Sequence, residues 1–181
     1  NAGELIIARD SLGIKPLYLH HSSDLIVFSS EIKAILKHPK VNRTINNQSI
    51  TEYMWYGNTL GNNTFYKDIS EVLPGNFLRF SKSGAVTQTA FFEAEAVQQQ
   101  EINEADAVAK TRELLAASVE RHMISDVPVG IFLSGGVDSS AITAFASKQG
   151  KRKVNTYTAA FDFQGGSNDL ASAKSIAQLF G

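Results

Sequence analysis

The chain has 181 residues, of which 43% are hydrophobic, and its 17 basic and 18 acidic side chains leave a net charge of −1, an ordinary composition with room for one generous domain or two small ones. That balance gives no electrostatic footprint for nucleic acid or an anionic membrane, and no apolar run approaches the roughly 20 residues that span a bilayer. Cysteine is absent, which excludes disulfides, thiolate metal sites and a cysteine nucleophile within this sequence; with no signal-peptide layout over residues 1–20, a cytoplasmic location is expected.

The first third reads as strands. Leu5 to Ala8, Leu17 to Leu19 and Leu25 to Ser29 are short β-type runs separated by Asp, Ser, Gly and Pro clusters, the grammar of a meander. A short helix follows, with Ile32, Ile35 and Leu36 on one face and Pro39 ending it. Residues 47–56 form a second short helix, with Ile50, Tyr53 and Met54 at helical spacing. From Gly57 to Gly75 the Gly, Asn and Thr content marks a long ordered connection. Leu73-Pro74-Gly75-Asn76 then turns the chain into Phe77 to Phe80, and Ser83-Gly84 turns it again into Ala85 to Phe92, a hairpin. The polar run from Glu93 to Glu101 is a candidate linker.

After the linker the pattern changes. Asn103 can cap a helix whose Val108, Thr111, Leu115, Ser118 or Val119, and His122 share a stripe, with Asp106 placed to favour the dipole. Val129 to Leu133 is a near-continuous apolar run suited to a strand buried on both faces of a parallel sheet. A Gly-rich turn, a helix from Ser139 to Lys148 closed by Gly150, a strand from Val154 to Phe161 and a helix from Asp169 to Phe180 complete a βαβα order, the opening of a doubly wound α/β domain. The missing initiator Met, the strand so near residue 1 and the final helix ending at Gly181 make a piece of a longer protein the expectation.

The chemistry concentrates in Ser134-Gly135-Gly136-Val137-Asp138-Ser139. In open α/β sheets ligands bind beyond the carboxyl ends of the strands, where this loop falls. Gly135 and Gly136 let backbone N–H groups turn inward as a nest for phosphate oxygens. Ser134 and Ser139 add hydroxyl donors, and the helix that follows turns its positive end to the anion. Asp138 would repel bound phosphates unless a cation lay between, which implies Mg²⁺. No Gly-Lys-Ser/Thr follows, so the loop is not a Walker A sequence. Without that Lys the γ-phosphate lacks a dedicated partner, and cleavage between the α and β phosphates is the expected chemistry. The plainer reading is a Gly-rich βα turn with a Ser/Asp helix cap; the strand-turn-helix context weighs against it.

The Ser-Gly-Gly-x-Asp-Ser loop resembles that of the N-type ATP pyrophosphatases, which include asparagine synthetase, argininosuccinate synthetase, GMP synthetase and the β-lactam synthetases. Its flanks, from Ser125-Asp126-Val127-Pro128 through Ser140, resemble the glutamine-hydrolysing asparagine synthetases. So do Ala8-Arg9-Asp10-Ser11-Leu12-Gly13-Ile14-Lys15-Pro16-Leu17-Tyr18 and Phe28-Ser29-Ser30-Glu31-Ile32-Lys33-Ala34-Ile35, which are similar to the late part of that family's glutaminase domain. Val72-Leu73-Pro74-Gly75 matches its Pro-Gly turn without the commoner double proline. The resemblance implies the C-terminal part of an N-terminal-nucleophile glutaminase over residues 1–92, α+β with antiparallel sheets. A linker over 93–102 and the start of a doubly wound parallel ATP-pyrophosphatase domain over 103–181 would follow.

It also implies an activity. Such enzymes release ammonia from glutamine at an N-terminal cysteine and use it on β-aspartyl-AMP, made from ATP and aspartate, to give asparagine. The cysteine belongs upstream of residue 1, so this chain alone is not expected to hydrolyse glutamine. Ser134, Gly135, Gly136, Asp138 and Ser139 correspond to the pyrophosphate loop, with Asp138 contacting magnesium through pyrophosphate. The adenine contacts, made by main chain in the family, fall on Leu133 and Ala159, the latter within Ala159-Ala160 where the family usually has Val-Gly. ATP, Mg²⁺, aspartate and glutamine are the expected ligands; a homodimer is left open. The same machinery on another acceptor would make an amidotransferase of surface-sugar or secondary-metabolite synthesis or a β-lactam synthetase. A nucleotide-binding regulatory protein without catalysis is the non-enzyme alternative.

Other residues draw plainer readings. Arg9 and Asp10 are taken as a structural pair that locks a turn at the domain interface, rather than a catalytic one. Glu31 and Lys33 read as a solvated helix face, and Asp169 as a helix cap. His20, His21, His38 and His122 show no metal-ligand spacing, and Tyr53, Trp55 and Tyr56 read as a packing cluster because no basic residues interleave them.

Overall fold

The computed structural model describes residues 3–93, 101–149, 153–160 and 169–180. The chain divides into two compact units, Asn1–Val97 and Gln98–Gly181. It is an α/β protein whose first unit is built on antiparallel sheets.

The first unit stacks two three-stranded sheets. One has the order β1 (Leu5–Ala8), β5 (Asn76–Phe80), β6 (Val86–Ala90); the other runs β3 (Ile26–Ser29), β2 (Tyr18–His21), β4 (Ser70–Glu71). The expected hairpin is present as β5 and β6, with Phe80 opposite Val86. The expected meander is only half right. Strands β2 and β3 pair antiparallel, but β1 leaves its chain neighbour and pairs with β5, placing Ile7 opposite Leu78. The reason lies in alternation: Ile7 and Phe80 from one sheet and Leu19 from the other point between the sheets, where they form a buried cluster with Val72. Each such side chain removed from water contributes about 1.5–3 kcal/mol. On the far face of the second sheet, Tyr18 and Val27 join Ile35, Val41 and Ile69 in a second cluster beneath the short helix α1 (Ile32–Ile35).

Helix α2 (Asn47–Tyr56) ends at Gly57, whose φ of 75° and N–H bond to the Tyr53 carbonyl are the left-handed cap that glycine adopts without strain. Its buried side is polar. Ser49 and Glu52 are the buried residues, while Ile50, Tyr53 and Met54 are exposed. The Glu52 carboxylate explains this: it accepts from Leu60 N–H at 2.9 Å, from Asn63 Nδ2 at 2.9 Å and from Gln48 Nε2 at 2.8 Å, drawing the 57–63 loop over that face. The aromatic residues therefore do not pack as one cluster. Tyr53 meets Phe65 edge-on at 5.5 Å, whereas Trp55 is 81% exposed.

The paired reading of Arg9 and Asp10 also changes. Arg9 reaches Glu71 on β4, while Asp10 accepts from the backbone of Ile14 at 2.9 Å and Lys15 at 3.0 Å, closing its own turn. These backbone donors, Lys15 first, hold the Asp10 carboxyl below the ordinary aspartate value. Glu31 and Lys33 form an exposed ion pair. His20 is buried, with Nδ1 2.8 Å from the Asp68 carbonyl.

In the second unit, helix α3 (Glu104–His122) is capped as its sequence predicts: Asn103 Oδ1 accepts from Asp106 N–H. Strand β7 (Gly130–Phe132), helix α4 (Val137–Gln149), strand β8 (Asn155–Tyr157) and helix α5 (Asp169–Phe180) follow. Helix α4 packs against α3, α5 and β7. Strands β7 and β8 are parallel, with Phe132 opposite Tyr157. Their faces differ: Leu133, just past β7, is 1% exposed, while Phe132 is 86% exposed. The two-sided burial expected of Val129 to Leu133 is thus not found among the described residues. Phe132 and Tyr157 lie side by side on the open face. The linker segment 94–100, Gly150 and Phe161 lie outside the described residues.

Candidate functional site

The loop from Ser134 to Gly136 leaves β7 at its carboxyl end and enters α4 at Val137. Gly135 makes the turn, with φ of 79°, a conformation rarely adopted by residues with a Cβ. Space forbids one as well. A Cβ on Gly135 would come within 2.6 Å of Ser172 Cβ and 2.8 Å of Ala173 N, so the first turns of α5 lie directly against the loop. Gly136 is different: its φ is not positive, and an added Cβ would meet only Ser134 Oγ at 3.4 Å. The fold thus requires glycine at 135 and merely admits it at 136.

The two serines bond to each other. Ser134 Oγ lies 3.0 Å from Ser139 Oγ, Ser139 Oγ accepts from the Ser134 N–H at 3.3 Å, and Ser134 Oγ accepts from the Gly136 N–H at 3.3 Å. Ser139 and Ser140 open α4: Ser140 N–H donates to the Gly136 carbonyl at 3.0 Å, and Thr143 Oγ1 returns to the Ser139 carbonyl at 2.8 Å. The Ser140 hydroxyl is buried without a hydrogen-bond partner among the described residues. Asp138, in the first turn of α4, is exposed, and no hydrogen bond or ion pair engages it among the described residues. There its charge complements the helix dipole.

Leu133 lies one residue past β7 and Ala159 two residues past β8, both at the carboxyl ends of the parallel strands. The Leu133 N–H donates to the Tyr157 carbonyl at 2.8 Å, continuing the ladder, and the Leu133 carbonyl accepts from Thr158 Oγ1 at 2.7 Å. Ala159 is exposed. All seven residues singled out in the sequence therefore gather at one end of the β7–β8 pair. Thr158, Ser172 and Ala173 were not singled out. Ala173 carried a signal, an apolar position at helical spacing with Ile176, Ala177 and Phe180; Thr158 and Ser172 carried none.

Residues 1–92 match the glutamine amidotransferase domain family, and residues 110–181 match the asparagine synthase family. The chain belongs to the glutamine-hydrolysing asparagine synthetase family. It is 38% identical over 159 residues, 85% of its length, to asparagine synthetase [glutamine-hydrolyzing] 3 of Bacillus subtilis, covering 26% of that protein. A second Bacillus subtilis relative, asparagine synthetase [glutamine-hydrolyzing] 1, is 34% identical over 174 residues, 96% of this chain and 27% of that protein. Amidase chry2 of Gibberella zeae is 29% identical over 201 residues, with all of this chain and 29% of the amidase covered. The chain thus spans under a third of the length of these relatives. Among the described residues, no helix is long and apolar enough to cross a membrane.

Proposed function

We propose that the protein to which this chain belongs is an ATP-dependent amide-forming ligase of the cytoplasm, in which the second unit opens a doubly wound ATP-pyrophosphatase domain. Aspartate's side-chain carboxylate attacks the α-phosphorus of ATP, the bond to the β-phosphate oxygen breaks, and pyrophosphate leaves. Ammonia drawn from glutamine then attacks the β-aspartyl-AMP carbonyl and displaces AMP, giving asparagine. The observation that carries this reading is the loop itself: a glycine-bent turn at the carboxyl end of a parallel strand, lined by Ser134 and Ser139 hydroxyls at the start of α4 and lacking a Walker lysine.

On this reading Ser134, Gly135, Gly136 and Ser139 hold the departing pyrophosphate through N–H and O–H donors, stabilising charge as it develops. The donor set also suits magnesium. Asp138 offers an exposed carboxylate, a hard oxygen ligand without a competing protein partner, and a Mg²⁺ ion held by one carboxylate plus phosphate oxygens is the usual arrangement. When bound, the ion neutralises phosphate charge; Asp138 holds it at the mouth of α4. The Leu133 and Ala159 main chain is assigned to adenine.

The relatives named amidases favour a second reading, in which the same machinery serves an acceptor other than aspartate. The intact protein supplied with ATP, Mg²⁺, glutamine and aspartate is expected to form AMP, pyrophosphate and asparagine in equal amounts. ADP and phosphate as products would overturn the mechanism, and turnover with other carboxylates but not aspartate would select the second reading. Asp138→Ala is expected to abolish pyrophosphate release; retained amidation would remove the metal assignment.

A further inference from the structure

Helix α2 is built inside out. Its one charged residue, Glu52, is 8% exposed and forms the inward side with Ser49, while Ile50, Tyr53, Met54, Trp55 and Tyr56 are between 43% and 81% exposed. The donors that hold the Glu52 carboxylate, Leu60 N–H, Gln48 Nε2 and Asn63 Nδ2, fix this rotation of the helix. The apolar side cannot turn inward without breaking those bonds and carrying the carboxylate away from its donors. Thr51, also exposed, engages its hydroxyl within the helix by donating to the Asn47 carbonyl at 3.2 Å. The Tyr53 ring meets Phe65 edge-on at 5.5 Å and extends the face sideways. From Thr44 to Tyr66 the sequence holds a single charged residue, Glu52.

We infer that this face of α2 is the contact of a two-fold homodimer, in which α2 packs against α2 of a second copy of the protein. Its size is the first argument. With three aromatic side chains that can each bury roughly 150–250 Å², together with Ile50, Met54 and Phe65, the face offers about 700 Å². That exceeds the ~300–600 Å² of the largest apolar patch on a typical monomer and approaches the ~800 Å² that each partner gives to a standard interface. Composition agrees, since Trp, Tyr, Met and Phe without charge are what the centre of an interface holds. Charge then selects the partner. An anionic membrane or a nucleic acid is drawn to Lys and Arg, and residues 44–66 contain neither. A different protein is chosen by charges set opposite its own, and the exposed side of α2 has none to set. A two-fold contact places the same stripe against itself, and an uncharged stripe meets its own copy with no like-charge repulsion.

Sedimentation velocity on the intact protein at micromolar concentration tests this. The native protein is expected to sediment as a dimer. Met54, 78% exposed, lies between Tyr53 and Trp55 in the middle of the stripe. Met54→Glu and Met54→Lys each set like charges against one another across the two-fold axis, and each should raise the dissociation constant about a hundredfold or more and give monomer. Mixed in equal amounts, the two variants should recover the dimer, because opposite charges then face each other. Such recovery is specific to a face that pairs with itself. Trp55→Ala, which adds no charge, should weaken the dimer about tenfold or more. A monomeric native protein, a dimer unchanged in all three variants, or dissociation without recovery on mixing each overturns the inference. Loss of the folded state in both Met54 variants, judged by circular dichroism, overturns it as well, since the face would then be covered by the intact protein's own chain. The readout is assembly and not pyrophosphate release, so the ligase reading can fail without touching this result.

Discussion

Arg9 Nη1 lies 2.7 Å from Glu71 Oε1, tying β4 to the turn that follows β1. The same guanidinium donates to the carbonyls of Val72 at 2.8 Å, Gly13 at 2.9 Å and Lys15 at 3.0 Å. One buried cation thus satisfies three carbonyl groups and a carboxylate, a pattern suited to the planar fork of arginine and not to lysine. Arg9→Met is expected to destabilise the chain by about 3 kcal/mol, because Glu71 and the three carbonyls lose their donor together. Glu71→Gln, which leaves the carbonyl contacts in place, should cost about 1 kcal/mol. Urea denaturation of both variants checks this; equal small losses would show that the clamp does not hold the turn.

Glu52 makes stability depend on pH. Its carboxyl is held below the ordinary glutamate value of 4.5, first by the Leu60 N–H and then by Gln48 and Asn63, against an opposing effect of desolvation. A carboxylate whose folded pKa is depressed binds fewer protons folded than unfolded. Its contribution is therefore complete above the unfolded value and is lost as pH falls through the lower folded value. Glu52→Gln is expected to lower the unfolding midpoint at pH 7 and to flatten its decline below 4.5, measured by thermal unfolding across pH. A parallel offset at every pH would refute the assignment.

Ser49 gives the opposite expectation. It is fully buried on α2, and its hydroxyl has no hydrogen-bond partner among the described residues. Removing an unsatisfied buried hydroxyl relieves its desolvation cost, so Ser49→Ala should leave stability unchanged or raise it by about 1 kcal/mol. A clear loss on chemical denaturation would mean that the hydroxyl finds a partner after all.

The two glycines of the loop should separate fold from function. Gly135→Ala places a Cβ at a φ of 79° and against Ser172 and Ala173, and is expected to cost at least about 2 kcal/mol through strain and overlap. Gly136→Ala meets only the Ser134 hydroxyl at 3.4 Å and should fold normally. If it nevertheless lowers pyrophosphate release in the intact protein, the role of Gly136 is close approach to the ligand. Equal loss of stability in both variants would contradict this division.

What could be read from sequence was local. The β5–β6 hairpin, the Asn103 cap and the strand-turn-helix around Ser134 each rest on residues within a few positions of one another. The pairing of β1 with β5 joins residues as far as 75 positions apart, Leu5 with Phe80, and nothing in either strand names the other. On α2 the apolar spacing pointed the wrong way, because a carboxylate with three neutral donor groups can be buried as well as an isoleucine can. At the candidate site, the turn between strand and helix was legible because its glycine and serine punctuation lies within a few positions of one another. Thr158 was not, since its partner is a main-chain carbonyl that exists as a target only once β7 and β8 lie together.

The mutual bonding of Ser134 and Ser139 bears on how the loop fills and empties. The N–H groups of Ser134 and Gly136 are engaged by the loop's own hydroxyls at 3.3 Å, so bonds within the loop brace its bend. On the proposed reading, an arriving anion would exchange bonds with two hydroxyl rotors and refold no backbone. Such rotations take picoseconds to nanoseconds at exposed positions, far faster than diffusion delivers a ligand at cellular concentrations. On that reading, occupancy of the loop would be governed by supply and by the rest of the nucleotide, with no slow step at the turn itself.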